Sequence, residues 1–310
     1  MRWVKYFAWG IVVLLAGGAV FQAMASSRSL HHPPGSLVDV GGYRMHLFCT
    51  GQGSPAVILD AGGGDFWMTW RAVQPRIAEF TRVCSYDRAG MGWSDPSPKP
   101  RTSNVIAAEL HTLLHNASVP TPYVLVGHSI GGLNMRAYAA LYREDVAGMV
   151  LVDSTHPDQM ARFPEGLKKL ESRVDVLLRA VQLSMPFGIP RLMGFCQPGA
   201  TAECGSAGLR EMSAEVATLE QSAAQVRSAP PLGNLPLRVL SRDPLSVTSP
   251  LLPADVSQSA NRVWQQLQAE LADLSTDSTR VIAIGSGHYV HRDRPDLFVD
   301  TVRALVTKLR

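Results

Sequence analysis

Five short apolar runs, at residues 56–59, 123–126, 149–152, 237–240 and 280–284, limit this chain to few folds. In the run 123–126 (Tyr-Val-Leu-Val) and the run 149–152 (Met-Val-Leu-Val) no charged residue alternates with the apolar ones. A strand that is apolar on both sides needs cover on both faces of its sheet. Helix-like stretches separate the runs. Residues 104–115 carry Val105, Leu110, Leu113 and Leu114 roughly at helical spacing, with Ser103 as the expected N-cap. Residues 66–80 read as helix with a break at Pro75, residues 82–86 as a further strand, and residues 295–309 as a last helix with Phe298, Val302, Leu305 and Leu309 on one face. Strands alternating with helices predict an α/β fold, a mainly parallel sheet flanked by helices. Residues 37–40 and 43–49 flank Gly41-Gly42, whose tolerance of positive φ suits a tight hairpin, so one edge of the sheet is expected to be antiparallel.

The region 156–235 breaks this alternation. Two helix-like stretches, 165–183 and 209–226, lie on either side of a segment with Pro, Gly and two cysteines. It reads as a helical lid inserted between two strands, leaving residues 31–155 and 236–310 as the core domain and residues 1–30 as a separate N-terminal segment. The 310 residues suffice for one large domain with such an insertion. A formal net charge of +3 without a long Lys/Arg run gives no footing for nucleic-acid binding.

Arg2 and Lys5 precede residues 6–25, a stretch with no charged side chain. As a helix, about 20 residues at roughly 1.5 Å each would reach about 30 Å, the thickness of a bilayer's hydrocarbon core. The positive flank puts the N-terminus inside, so the expectation is a single-pass membrane anchor with the rest exported. The alternative is a secreted protein cleaved near Ala25, since Ala23-Met24-Ala25 has the small-x-small form of a signal-peptidase site. Export permits disulfides. Cys196 and Cys204 bracket a Gly- and Ala-containing loop that closes easily and are the first expected pair. Cys49 and Cys84 sit in strand-like runs, as a second pair or as buried thiols. None of the four has zinc-site spacing.

The residues with chemical potential follow the strand at 123–126. Gly127-His128-Ser129-Ile130-Gly131 fits Gly-x-Ser-x-Gly between a strand and a helix, a context that forces a sharp turn with the serine at its apex. Small residues at Gly127 and Gly131 keep the turn uncrowded. The turn presents the Ser129 hydroxyl and aims the N–H of Ile130 and the helix N-terminus at a developing oxyanion.

With these residues in view, the chain resembles the α/β-hydrolase family over about residues 37–310. Asp87-Arg88-Ala89-Gly90-Met91-Gly92-Trp93-Ser94 is similar to the family's Asp-x-Arg-Gly-x-Gly-x-Ser turn, with Ala89 where the pattern has Arg. Asp60-Ala61-Gly62-Gly63-Gly64 falls where the family often has His-Gly. Ala61 replaces the histidine, and the position still offers backbone donors. The resemblance implies an oxyanion hole from Gly63 (or Gly64) and Ile130. Gly285-Ser286-Gly287-His288, after the last strand, resembles the family's histidine loop and makes His288 the expected general base, with His291 and His156 as rivals. The family order of Ser, acid, His favours Asp243 just past the run 237–240, with Asp153 an alternative site used by some relatives and Asp255 a further one. His31-His32 read as linker residues, and His111 and His115 have no acidic partners that would argue for a metal.

The expected activity is a serine hydrolase cleaving an ester-type small substrate (carboxylic ester, thioester, lactone or amide) through an acyl-enzyme, with no cofactor and no metal. A serine at the turn disfavours relatives with a carboxylate nucleophile, such as epoxide hydrolases and dehalogenases. The rival readings are a non-catalytic ligand-binding member of the fold, and an acyltransferase or perhydrolase working from the same three residues. The apolar cluster of Pro186, Phe187, Ile189, Leu192, Met193 and Phe195 suits either an acyl pocket or the lid's own core.

Overall fold

A computed structural model describes residues 2–27, 34–193, 206–246 and 251–310. The strands are β1 (Ser36–Asp39), β2 (Arg44–Thr50), β3 (Ala56–Asp60), β4 (Val83–Tyr86), β5 (Tyr123–His128), β6 (Val146–Val152), β7 (Leu237–Arg242) and β8 (Ser278–Ala283). The helices are α1 (Arg2–Ser27), α2 (Gln74–Ala78), α3 (Ser103–Asn116), α4 (Gly131–Leu141), α5 (Gln159–Arg162), α6 (Glu165–Ser184), α7 (Ile189–Leu192), α8 (Ser206–Ala217), α9 (Leu219–Arg227), α10 (Ala254–Ala272), α11 (Val290–Asp293) and α12 (Pro295–Lys308).

The eight strands form one sheet in the order β1-β2-β4-β3-β5-β6-β7-β8. β1 and β2 pair antiparallel, as do β2 and β4, and every other pair is parallel. The β1–β2 turn uses Gly41 and Gly42 at φ of 108° and 98°. The unbroken apolar character of the central strands has a direct cause. Ile58, Leu125, Met149 and Leu151 face one buried cluster, which includes Leu110 and Leu113 of α3 and Leu133 of α4. Their neighbours Val57, Leu59, Val124, Val126, Val150 and Val152 face the opposite cluster, which includes Ile77 of α2 and Phe298, Val302 and Leu305 of α12. Burying each such side chain contributes about 1.5–3 kcal/mol, so both faces need apolar residues.

Several local expectations change. Residues 66–80 divide into a 3-10 turn, Trp67–Trp70, and α2, with Pro75 in the first turn of α2, where its missing N–H costs little. Thr102, not Ser103, occupies the N-cap of α3, and the Ser103 hydroxyl donates instead to Asn134 Oδ1 at 2.8 Å. Between β6 and β7 the chain runs through α5 to α9, with a break at Thr218 between α8 and α9 where a single helix was expected. α10, between β7 and β8, was not anticipated. Its Ala260 and Trp264 pack with Phe163 and Leu167 of the inserted region.

Of the two expected cysteine pairs, the second is formed. Cys49 and Cys84 are register partners on β2 and β4 and form a disulfide. Cys196 and Cys204 lie outside the described residues. So do His31 and His32. The expected membrane segment is α1. Among the described residues no helix is long and apolar enough to cross a membrane. α1 rests on the inserted region: Phe21 lies against Gly188, and Arg191 Nε donates to Gln22 Oε1 at 3.2 Å.

Candidate active site

β5 ends at His128, and Ser129 follows with φ of 54°. A side chain other than glycine rarely holds that left-handed conformation, and it persists only where the surroundings enforce it. Here the Ser129 N–H donates to Val152 O at 3.1 Å, while its carbonyl accepts from Gly132 N–H and Thr155 N–H, both at 3.0 Å. A Cβ on Gly127 would lie 2.6 Å from backbone atoms of Gly131 and Gly132, and one on Gly131 would lie 2.7 Å from the carbonyl oxygens of Asp60 and Ala61. The glycines therefore let β5, the turn and α4 close on one another and on the β3 loop. α4 starts at Gly131 with Ile130 as its N-cap, so the positive end of the helix dipole lies beside the serine.

The β3 loop completes this side. A Cβ on Gly62 would lie 3.4 Å from Ser129 Cβ, and one on Gly63 would lie 3.8 Å from Ile130 Cγ2. The two segments expected to supply oxyanion donors are in contact next to Ser129.

His288 stands on the loop between β8 and α11, and its Nδ1 lies 2.7 Å from Asp153 Oδ2. The carboxylate is the acceptor, so Nδ1 carries the proton and Nε2 is left with its lone pair. Asp153 directly follows β6 and is fully buried, with φ of 39°. Its other oxygen accepts from Trp264 Nε1 at 2.7 Å and Arg242 N–H at 3.0 Å. Burial alone would raise its pKa. The hydrogen bond from His288 and the charge of Arg242 outweigh burial and hold the carboxyl below its usual range.

Asp243, the acid expected from the order of parts, is placed differently. Its oxygens accept from Leu245 N–H and Gly285 N–H, each at 2.7 Å. It fastens the turn after β7 to the start of the His288 loop, and these two backbone donors lower its pKa. The structure thus brings His288 to Asp153, and Asp243 is a turn residue. Asp255 lies in the first turn of α10.

The rival histidines have other engagements. His291 is buried, and its Nε2 lies 3.0 Å from Thr69 Oγ1. Arg292 donates twice to that same oxygen, at 3.2 and 2.7 Å, so the threonine hydroxyl donates to the imidazole. Burial lowers the His291 pKa to about 3. His156 Nδ1 accepts from Asp158 N–H at 3.1 Å at the start of the inserted region. His128, next to the serine, donates from Nε2 to the carbonyl of His288 at 3.0 Å and so supports the histidine loop. Burial pushes its pKa well below the ordinary histidine value. Among the described residues no group of His, Cys, Asp and Glu could hold a metal ion.

Arg88, with Asp60 and Glu215, is the part of the site that sequence reasoning missed. Arg88 is almost wholly buried beneath the β3 loop, bonded to Asp60 Oδ1 at 2.7 Å and to Glu215 Oε1 at 2.6 Å. A buried arginine leaves no local mark in a single sequence, because both carboxylates arrive from distant segments.

A family profile described as the alpha/beta hydrolase family matches residues 53–301. The chain belongs to this family. One curated relative, the uncharacterized protein YqjL of Bacillus subtilis, is 28% identical over 249 residues, covering 80% of this chain and 81% of YqjL. Another, named "Probable transporter efuK" from Hormonema carpetanum, is 32% identical over 146 residues, covering 43% of this chain and 21% of its own length. The chain therefore spans about a fifth of that relative. Solved structures with the same fold include esterases and epoxide hydrolases. The esterase EaEST from Exiguobacterium antarcticum superimposes with a TM-score of 0.59 at 17% identity, over 88% of this chain and 99% of its own. Family profile and fold together place this chain among the α/β hydrolases.

Proposed function

We propose that the protein is a serine hydrolase acting on a small ester-type substrate through an acyl-enzyme, with Ser129 as nucleophile, His288 as general base and Asp153 as the acid. The observation that carries this reading is the 2.7 Å bond from His288 Nδ1 to a buried Asp153. That bond fixes the tautomer that leaves Nε2 able to take the serine proton. In the proposed cycle Ser129 Oγ attacks the acyl carbon and its proton passes to His288 Nε2. The Ile130 and Gly63 N–H groups bind the oxyanion, and the imidazolium then protonates the leaving group. Water enters next, activated by His288, and releases the acid. The fixed donors at the hole are each worth on the order of 10²–10³ in rate. An epoxide hydrolase chemistry is disfavoured, because a hydroxyl stands where a carboxylate nucleophile would be needed.

A fluorophosphonate probe tests the reading. Wild-type protein is expected to take up one label, and Ser129→Ala none. A screen of p-nitrophenyl esters by chain length then defines the acyl group, and absence of both labelling and hydrolysis would refute the assignment.

We propose further that the catalytic domain works outside the cytoplasm. The Cys49–Cys84 disulfide supports this, since such bonds persist in oxidising compartments, as do Arg2 and Lys5 ahead of the apolar stretch. A C-terminal alkaline phosphatase fusion should be active in cells, and an inactive fusion would place the domain inside.

A further inference from the structure

The neighbourhood of Arg88 ties the inserted region to the loop beside Ser129. A guanidinium has five N–H donors, and all five are used. Nε donates to Glu215 Oε1 at 2.6 Å and Nη2 to Glu215 Oε2 at 3.1 Å. Nη1 donates to Asp60 Oδ1 at 2.7 Å and to the Ala61 carbonyl at 2.8 Å, and Nη2 also donates to the Gly62 carbonyl at 2.8 Å. One arginine thus holds the end of β3, two consecutive carbonyls of the loop, and a carboxylate on α8. Asp60 is braced in turn by Asn134 of α4, whose Nδ2 donates to Oδ2 at 3.0 Å.

The two carbonyls matter because a trans peptide is planar, so its C=O and N–H point in opposite directions. Holding the Ala61 and Gly62 carbonyls on the guanidinium turns the N–H groups of Gly62 and Gly63 away from it. Those glycines are the ones that neighbour Ser129 and Ile130. α8 adds to the hold: Met212 lies over Gly64, and Glu211 forms a second buried ion pair, 3.4 Å from Arg101. Arg101 is itself paired with Glu109 at 2.9 Å. Glu211 and Glu215 are one helical turn apart, so a single face of α8 meets both arginines.

We propose that Glu215 and Arg88 are positioning residues through which α8 sets the oxyanion loop. Arg88 joins α8 to the loop by five bonds, of which the one to the Gly62 carbonyl orients the Gly63 donor. Without the two bonds to Glu215, the guanidinium that holds the Ala61 and Gly62 carbonyls is itself less firmly fixed. Arg88 stands at the variable second position of the Asp-x-Arg-Gly turn, and its partner lies 127 residues away. The coupling rests on the serine hydrolase reading above and refines it.

The test uses the full-length protein and its Glu215→Gln, Glu215→Ala and Arg88→Lys variants. One aliquot of each is titrated to completion with the fluorophosphonate probe to count active serines, and an unlabelled aliquot is assayed with p-nitrophenyl butyrate. Rates are expressed per titrated serine, which removes any misfolded fraction. We expect kcat to fall about tenfold to hundredfold in Glu215→Ala, a partial loss of the effect of one oxyanion donor, with KM little changed. Glu215→Gln keeps an acceptor oxygen and should lose less. A lysine ammonium has three donors on one nitrogen and cannot keep the five bonds of the planar fork, so Arg88→Lys should match Glu215→Ala. Unchanged kcat per titrated serine, with only a lowered melting temperature, would make the cluster purely structural and overturn the coupling. Failure of the wild-type protein to take the probe would remove the serine hydrolase reading, and the coupling with it.

Discussion

Two carboxylates compete for one role, and their surroundings separate them. Asp153 is buried, faces His288 and is held by Trp264 and Arg242. Asp243 is engaged with backbone N–H groups of its own turn and of Gly285. Asp153→Asn should therefore lower kcat by on the order of 10³–10⁴, because the amide no longer enforces the Nδ1–H tautomer. Asp243→Asn should stay within about threefold, as expected for a partly exposed turn residue. Steady-state rates per titrated serine decide, and the opposite ranking would restore Asp243. Ser129 was readable because strand, glycines and helix lie within one local segment. His288 was readable because a glycine-flanked histidine follows the last strand. The acid was not, because Asp153 and Asp243 both directly follow neighbouring parallel strands. What separates them is the left-handed turn at Asp153 and an indole 111 residues away, and neither leaves a local trace.

At the scale of elements, the strands and most helices were legible because they bury residues at a fixed period. α10 carries the same signal in Ala260, Trp264, Leu267 and Leu271, but the polar residues around them mask it. The paired cysteines were a different problem. Cys196 and Cys204 looked easier to join because they are close in sequence, whereas Cys49 and Cys84 are brought opposite one another only by the pairing of β2 with β4. Their disulfide closes a loop with a sequence separation of 35. Constraining the unfolded chain over such a loop is worth about 3–4 kcal/mol. The Cys49→Ala/Cys84→Ala double variant should lose about that much in urea unfolding, and reductant should lower the wild-type midpoint but not the variant's. A midpoint indifferent to reductant would mean the bond is not formed in solution.

Across the whole molecule, the histidines that crowd the site give the fold a pH dependence separate from that of catalysis. The rings of His128 and His291 lie 4.8 Å apart, and both are buried and neutral. Burial depresses both pKa values, that of His291 to about 3. An unfolded histidine titrates near 6.5. Above that value neither state binds a proton and these groups add nothing to the pH slope. Below it the unfolded chain takes up protons that the folded chain refuses, so stability falls with pH until the folded imidazoles titrate. For each histidine the loss approaches about 1.4 kcal/mol per pH unit below 6.5. Denaturant unfolding at pH 7.5, 6.5, 5.5 and 4.5 should show a plateau followed by a steepening decline. The depressed pKa of Asp153 adds a further loss only below the ordinary carboxylate range. His291→Phe removes one titrating ring from a pocket already walled by Trp70 and Phe298, and should flatten the slope between pH 6.5 and 4.5 by about one proton's worth. An unchanged slope in that variant would mean His291 is protonated in the fold, which its contacts with Thr69 and the neighbouring charge of Arg292 oppose.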